Sequence, residues 1–266
     1  MSAEPSAYSV CSQEDLASRA AADRVFVRVL FSSKLIWDNV DLAECRFDGC
    51  LFEGATIQGA DFSESEFSDC KFEPIRFAGC KLAKARFRGC SWFDADRKKG
   101  STFAFCDLHA TEITKCNFAT CSFERCDLYN VNASGTSFRG AQFPHTTFSR
   151  TISRRSVLTK ASFDTCNISF ADLSGLFLQN CEFRSCKFSE TSFIDTDLSQ
   201  ATMLGCSLDR VEWERARLTN SDLRGSNLSG LNLAVLADYA GVRISASEQS
   251  EILRQLGVDV HPSDGE

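Results

Sequence analysis

The 266-residue chain carries no apolar run approaching the length of a membrane span, and no apolar stretch after Met1 that would act as a secretion signal. A cytoplasmic protein with no membrane partner is therefore expected. Histidine is scarce: His109, His145 and His261 are scattered, and no nucleophile stands at a recognisable spacing from any of them. There is no glycine-rich phosphate loop, and no pair of carboxylates that would fall in one cleft. These absences point away from an enzyme and from a bound cofactor. Cysteine is abundant, at fourteen, yet no C-x-x-C pair occurs, which argues against a metal site.

What is present is a period of five. From Leu42 to Trp92, and again from Phe103 to Leu233, every fifth residue is apolar except Ser153. Neither an isolated α-helix nor an alternating strand repeats at that interval. The first frame includes Phe47, Phe52, Ile57, Phe62, Phe67 and Phe72. The second begins eleven residues after Trp92, so the phase has moved by one. Two residues ahead of each centre lies a second register, filled almost wholly by Cys, Ala, Ser, Thr or Val and beginning Cys45, Cys50, Ala55, Ala60, Ser65, Cys70. No Asp, Glu, Lys or Arg enters either register, so both point inward and the remaining three positions face water. Every cysteine but Cys11 falls in the small register, which marks the thiols as small hydrophobes in a reducing compartment rather than a disulfide framework.

A chain that turns a corner every five residues, with one large and one small side chain inside each turn, closes into a coil whose successive turns stack. Each coil then buries its apolar groups only against its neighbours. Runs such as Cys45-Arg46-Phe47-Asp48-Gly49, Ala60-Asp61-Phe62-Ser63-Glu64 and Ser221-Asp222-Leu223-Arg224-Gly225 resemble the pentapeptide-repeat family, whose motif is A(D/N)LXX. That resemblance covers residues 40 to 235. It implies an all-β fold, a right-handed quadrilateral β-helix with four pentapeptides per coil, the hand agreeing with the general preference of parallel crossovers. At about 4.8 Å between stacked strands, nine to ten coils give a rod somewhat over ~40 Å long.

Residues 1–35 are expected to form an N-terminal extension and cap, with a helix over Gln13 to Arg24 presenting Leu16, Ala17 and Ala20 and a strand over Val25 to Phe31. The repeat domain is expected over 36–235, and a C-terminal helix, dimerisation segment and tail over 236–266. Ser245 to Glu248 offers a capping box, followed by an amphipathic turn ending at Gly257. The regular repeat fails near 93–102, where the segment must leave the coil as a loop containing Phe93, Asp94, Asp96, Arg97, Lys98, Lys99 and Gly100. It fails again near 144–156, around Pro144, His145, Arg150, Arg154 and Arg155, without a change of phase.

Charge is banded along the chain. Asp38, Asp41, Glu44, Asp48, Glu53, Asp61, Glu64, Glu66 and Asp69 stand against Arg46 alone, predicting a strongly negative end of the rod. Basic residues then dominate from Lys71 to Lys99. The formal net charge of -7, with no evident aromatic stacking platform, speaks against direct nucleic-acid binding.

Cys90-Ser91-Trp92-Phe93-Asp94 followed by Arg97-Lys98-Lys99-Gly100, Phe138 to Phe143 followed by Thr146, Thr147 and Arg150-Thr151, and the terminal Leu256-Gly257-Val258 together resemble the quinolone-resistance Qnr and albicidin- and microcin-immunity branch of the family. That resemblance implies a homodimer joined through Ile252, Leu253, Leu256, Val258 and Val260. It further implies a rod that imitates DNA, occupies DNA gyrase or topoisomerase IV, and protects it from poisons, with the two irregular segments touching the enzyme. An interaction scaffold for an unrelated protein partner is the alternative.

Overall fold

The computed structural model describes residues 8–54, 56–153 and 156–261. The chain is a right-handed quadrilateral β-helix of about ten turns, ending in a short C-terminal helix. Its first face is a nine-stranded parallel sheet running from Val25–Val27 through Arg46–Asp48 and Glu66–Ser68 to Thr202–Leu204. Phe47 sits opposite Phe67, and Glu182 opposite Thr202, so one regular coil takes twenty residues. Two further sheets and a series of single bridges make the second, third and fourth faces.

The period of five follows from this geometry. Each face takes one short extended segment whose central side chain points inward, and the next residue but one turns the corner with positive φ, as at Gly49, Glu64 and Lys84. The centres form columns inside the prism. Phe47 and Phe67 stack at 4.5 Å, Phe72 and Trp92 at 4.4 Å, and Trp92 and Phe118 at 4.2 Å. Parallel rings one strand spacing apart keep apolar contact continuous along the rod, each buried Phe contributing about 1.5–3 kcal/mol relative to exposure.

The small register has a second role that burial alone does not explain. Cys80 Sγ donates to the carbonyl of Ile57 at 3.3 Å, and Cys186 Sγ to that of Phe163 at 3.4 Å. Hydroxyls do the same: Ser65 Oγ donates to Leu42 O at 2.7 Å and Thr191 Oγ1 to Ile168 O at 2.9 Å. In each case the acceptor is the inward centre of the preceding coil. Cys, Ser and Thr interchange here because each is small and each carries a donor.

All fourteen cysteines are free and buried. Burial pushes the thiols of Cys11 and Cys45 up to about 11 and that of Cys181 up to about 12. More generally, a thiol closed off from solvent is inert to a bulky reagent whatever its own pKa, and all fourteen are closed off. In the native protein an aromatic disulfide reagent should therefore label none of the fourteen within minutes, and all of them after unfolding in guanidinium. Rapid native labelling of several would contradict the inward assignment.

Three boundaries differ from the sequence expectations. The β-helix starts at Val25 rather than 36, because Val25–Val27 and Val29–Phe31 already form two faces of the first coil, paired with Arg46–Asp48 and Leu51–Phe52. Only the part before them caps it. α1 (Gln13–Ala21) is held by a capping box between Ser12 and Asp15 and buries Leu16 and Ala20, while Ala17 faces solvent.

The second excursion begins at Ser149 rather than 144. Pro144 and His145 lie in an ordinary corner, where Arg125 N donates to Pro144 O at 2.9 Å, and Phe148 is still an inward centre. Strands Ser149–Ser153 and Ser156–Thr159 then form an antiparallel hairpin that leaves the coil. Leu158, an inward centre by period, is therefore exposed. The hairpin delays the return to the first face from Val131 to Ala161, ten residues beyond a regular coil. Ten is two repeats, so the phase survives and the period cannot see the insertion.

At the C-terminus, Ser245 and Glu248 do not form the expected capping box. Ser245 Oγ accepts from Gly225 N at 2.8 Å and Glu248 from Leu228 N at 3.4 Å, so both side chains terminate the last coil instead. α2 (Gln249–Gln255) follows, closed by Gly257 at φ 79°. Its Ile252 packs into the core, so this residue is not available to a dimer interface.

Candidate partner-binding surface

Among the described residues no helix is long and apolar enough to cross a membrane. The filled prism leaves its exterior, its two hairpins and its C-terminal segment for contact with other molecules.

The first hairpin pairs Phe93–Asp94 with Lys99–Gly100. It leaves the corner between the second face, at Trp92, and the third, at Phe103. Asp94 Oδ1 accepts from the backbone N–H groups of Asp96 and Arg97 at 2.9 and 3.0 Å, and its other oxygen lies 3.5 Å from Arg97 Nε. This bracing fixes a tip on which Asp96, Arg97, Lys98 and Lys99 are exposed, with Phe93 and Asp94 half-buried at its base. Gly100 is required at the return. A Cβ there would stand 2.5 Å from Ala119 O and 2.6 Å from Cys121 N, both immovable backbone atoms.

The second hairpin leaves the diagonally opposite edge, between the fourth face and the first. Arg150 reaches back to the body of the rod, with its Nη2 3.1 Å from Asp127 Oδ2 and its guanidinium 5.4 Å from the Tyr129 ring centre. It is an anchor for the hairpin rather than a free contact. Val157 and Leu158 are exposed on the returning strand. Arg154 and Arg155, expected at this site, lie outside the described residues, as does Ala55 of the small register.

Asp107 and His109 stand beside that anchor, with Asp107 Oδ1 and His109 Nδ1 at 2.7 Å. Asp107, His109 and Asp127 can bring ligand atoms within 4.8 Å of one another. The Arg150 charge already against Asp127 opposes a cation there. The period of five does not reveal this group, because Asp127 lies twenty residues from Asp107, a separation meaningful only once the coil length is known.

The acidic band is not a bare negative end. Its carboxylates and the following basic band fall on the same edges, one coil apart. Lys81 Nζ lies 3.1 Å from Asp61 and Lys84 Nζ 2.8 Å from Glu64, while Arg86 pairs with Glu66. Arg46 lies 3.9 Å from Asp48. The expected negative end is thus interlaced with positive charge at Asp61, Glu64 and Glu66, because bands separated by twenty residues along the chain become adjacent rungs in space. Similar pairs recur further on, with Arg215 and Asp195 at 2.5 Å and Arg224 on the buried Asp222 at 2.8 Å.

These pairings lower the carboxyl pKa values of Glu64, Glu66, Asp195 and Asp222, the hydrogen bond from Lys84, Arg86, Arg215 and Arg224 respectively being the main cause. A depressed folded-state pKa contributes stability above the unfolded value, near ~4, and that contribution disappears as pH falls through the folded value. The melting temperature should therefore be flat from pH 7 to 5 and fall below about pH 4. Asp222→Asn should melt lower than the parent at pH 7, with the difference shrinking at pH 3. A melting temperature that rose on acidification would refute this account.

Of the residues expected to join two copies, Leu256 and Val258 are exposed, Leu253 and Val260 half-buried, and Ile252 enclosed within its own chain.

This architecture is that of a four-sided solenoid built from five-residue repeats. Family profiles described as "Pentapeptide repeat region", "Pentapeptide repeats (9 copies)" and "Pentapeptide repeats (8 copies)" match residues 156–233, 36–76 and 101–140. Together they span more than half of the sequence, and the chain belongs to the pentapeptide-repeat family. No curated protein sequence matches it. Among solved structures it is similar to full-length QnrB1, a plasmid-mediated fluoroquinolone resistance protein, at 21% identity and a TM-score of 0.69, covering 78% of this chain and 100% of that one. A trypsin-treated variant of the same protein superimposes with a TM-score of 0.69 at 21% identity, covering 79% and 100%.

Proposed function

We propose that this protein binds a type II topoisomerase, DNA gyrase or topoisomerase IV, in the cytoplasm and protects it from a poison that traps cleaved DNA. The observation that carries this reading is a solenoid interrupted by two braced hairpins on opposite edges, over a length that spans the whole of a fluoroquinolone resistance protein. The rod would take the place of duplex DNA by shape, with the unpaired carboxylates of the N-terminal coils adding attraction to a basic cleft. The interlaced ion pairs make charge imitation partial, which shifts weight onto the hairpins. Leu256 and Val258 would meet their counterparts in a second copy, giving a C-terminal homodimer.

Purified protein should restore supercoiling by gyrase in the presence of a fluoroquinolone or albicidin, and light scattering should give twice the chain mass. Absence of rescue with every such poison would favour the second reading, a scaffold for an unrelated protein. That reading draws on the mixed surface charge and the exposed Val157, Leu158 and Phe177.

A further inference from the structure

The fourth face is not continuous. Its bridges run from Asp41 through Asp61, Lys81, Asp107 and Asp127 to Thr147, and resume from Phe177 to Asp197, Arg217 and Asp238. Among the described residues, no backbone hydrogen bond joins segment 143–148 to segment 173–178. On the coil before, Phe123 N donates to Gln142 O at 2.8 Å, Arg125 N to Pro144 O at 2.9 Å and Leu128 N to Thr147 O at 2.8 Å. On the coil after, Leu173 N, Gly175 N and Leu178 N make the same bonds to Ser192, Ile194 and Asp197 at 3.0, 2.8 and 2.8 Å. Between them, the N–H groups of Phe143, His145, Phe148 and Phe177 have no backbone acceptor among the described residues.

Two other observations fall at the same place. An open cleft lies between the two segments, lined by residues from Pro144 to Phe148 and from Ser174 to Phe177. Phe177 is 64% exposed at its edge. The core beneath holds a small apolar gap at the same level, between Phe143 and Phe148 on one coil and Leu173 and Leu178 on the next. The cause is the second hairpin. It leaves after Phe148 and returns at Lys160, whose N–H bonds to Phe148 O at 3.0 Å, and this exit holds the two coils apart along one face.

A row of backbone donors and acceptors facing a cleft is the chemistry of an exposed sheet edge, which pairs with an added strand. Here two edges face one another, so a single extended segment could pair on both sides. No lining residue is acidic, His145 stands on the rim, and the exposed Lys160 closes one end. We infer that this split in the fourth face is a docking slot for an extended segment of a partner protein, taken up as an extra strand, with acidic side chains directed outward and an apolar one covering Phe177. The inference goes beyond the topoisomerase reading and does not depend on it.

Hydrogen exchange on the full chain tests the slot, and an array of capped hexapeptides alternating Val or Thr with Asp or Glu tests its occupant. The amides of Phe143, His145, Phe148 and Phe177 should exchange at least tenfold faster than those of Phe123, Arg125, Leu128 and Asp197. Several hexapeptides should bind, and alternate N-methylation should weaken them at least tenfold. Deleting residues 150–159 restores five residues between Phe148 and Phe163, so the two coils should zip together, with binding lost and the four amides protected. Should the shortened chain not fold, Phe177→Glu, at an exposed position, should weaken binding of the acidic peptides at least tenfold. Equal protection of all eight amides in the parent, an array with no binder, or binding that survives both variants would overturn the inference.

Discussion

Phe123→Ala should lower the stability of the rod by about 3–5 kcal/mol, read as a fall of roughly 10 °C in its melting temperature. The ring is fully enclosed. It stacks between Phe103 at 5.0 Å and Phe143 at 5.1 Å, and touches Phe118 and Phe138 at 5.7 and 6.3 Å. Truncation removes contacts on both neighbouring coils, and the hydrogen-bonded ladder around the site prevents collapse into the vacancy. Phe105→Ala supplies the control, since that ring sits two residues beyond the centre Phe103 and is 56% exposed. It should change stability by no more than about 0.5 kcal/mol. Equal melting of the parent and Phe123→Ala would remove the basis for the inward register. Because stacked repeats unfold less cooperatively than compact domains, calorimetry and fluorescence should be compared on both variants.

Removing the first hairpin should abolish rescue of gyrase while leaving the fold intact. The deletion has to respect the coil. Trp92 and Phe103 are eleven residues apart, so excising Asp94–Lys99 leaves the five-residue step that every other corner uses. Taking Gly100 as well would shift every later centre by one place and turn the core side chains outward. With the six-residue deletion, circular dichroism and melting should match the parent, and supercoiling in the presence of the poison should fall to the level without added protein. Full rescue by the shortened rod would show that the hairpin is not the contact. Gly100→Ala is a useful companion, because its Cβ would strike the backbone at Ala119 and Cys121 and displace the hairpin without changing its exposed residues.

The period of five was legible from residues alone because side-chain direction is a local property. A centre and its small partner repeat within one corner, so Phe47, Phe72 and Cys90 declare themselves buried without reference to any distant residue. The same locality concealed the start at Val25, where a one-residue offset between the first two coils breaks the frame. It also hid the second hairpin, since ten added residues leave the count of five undisturbed, and it made Leu158 look like a centre.

The candidate surface was less legible than the core. Asp61, Glu64 and Glu66 read as a bare acidic band when the chain is taken as a line. Folded, each finds Lys81, Lys84 or Arg86 one coil away. Arg150 reads as a contact residue, yet its guanidinium is spent on Asp127 and Tyr129. Ile252 reads as part of a dimer seam and instead joins its own core.

Residue order alone was enough to establish that large and small side chains alternate inside a five-residue turn, that the turns stack, and that charge stays outside, since each follows from which way a side chain points. Which charges neutralise one another, which edges carry the hairpins, and where the fourth face parts emerged with the folded arrangement. Those depend on the twenty residues that close one coil and on the insertions that lengthen it, and so on neighbours that local periodicity does not specify.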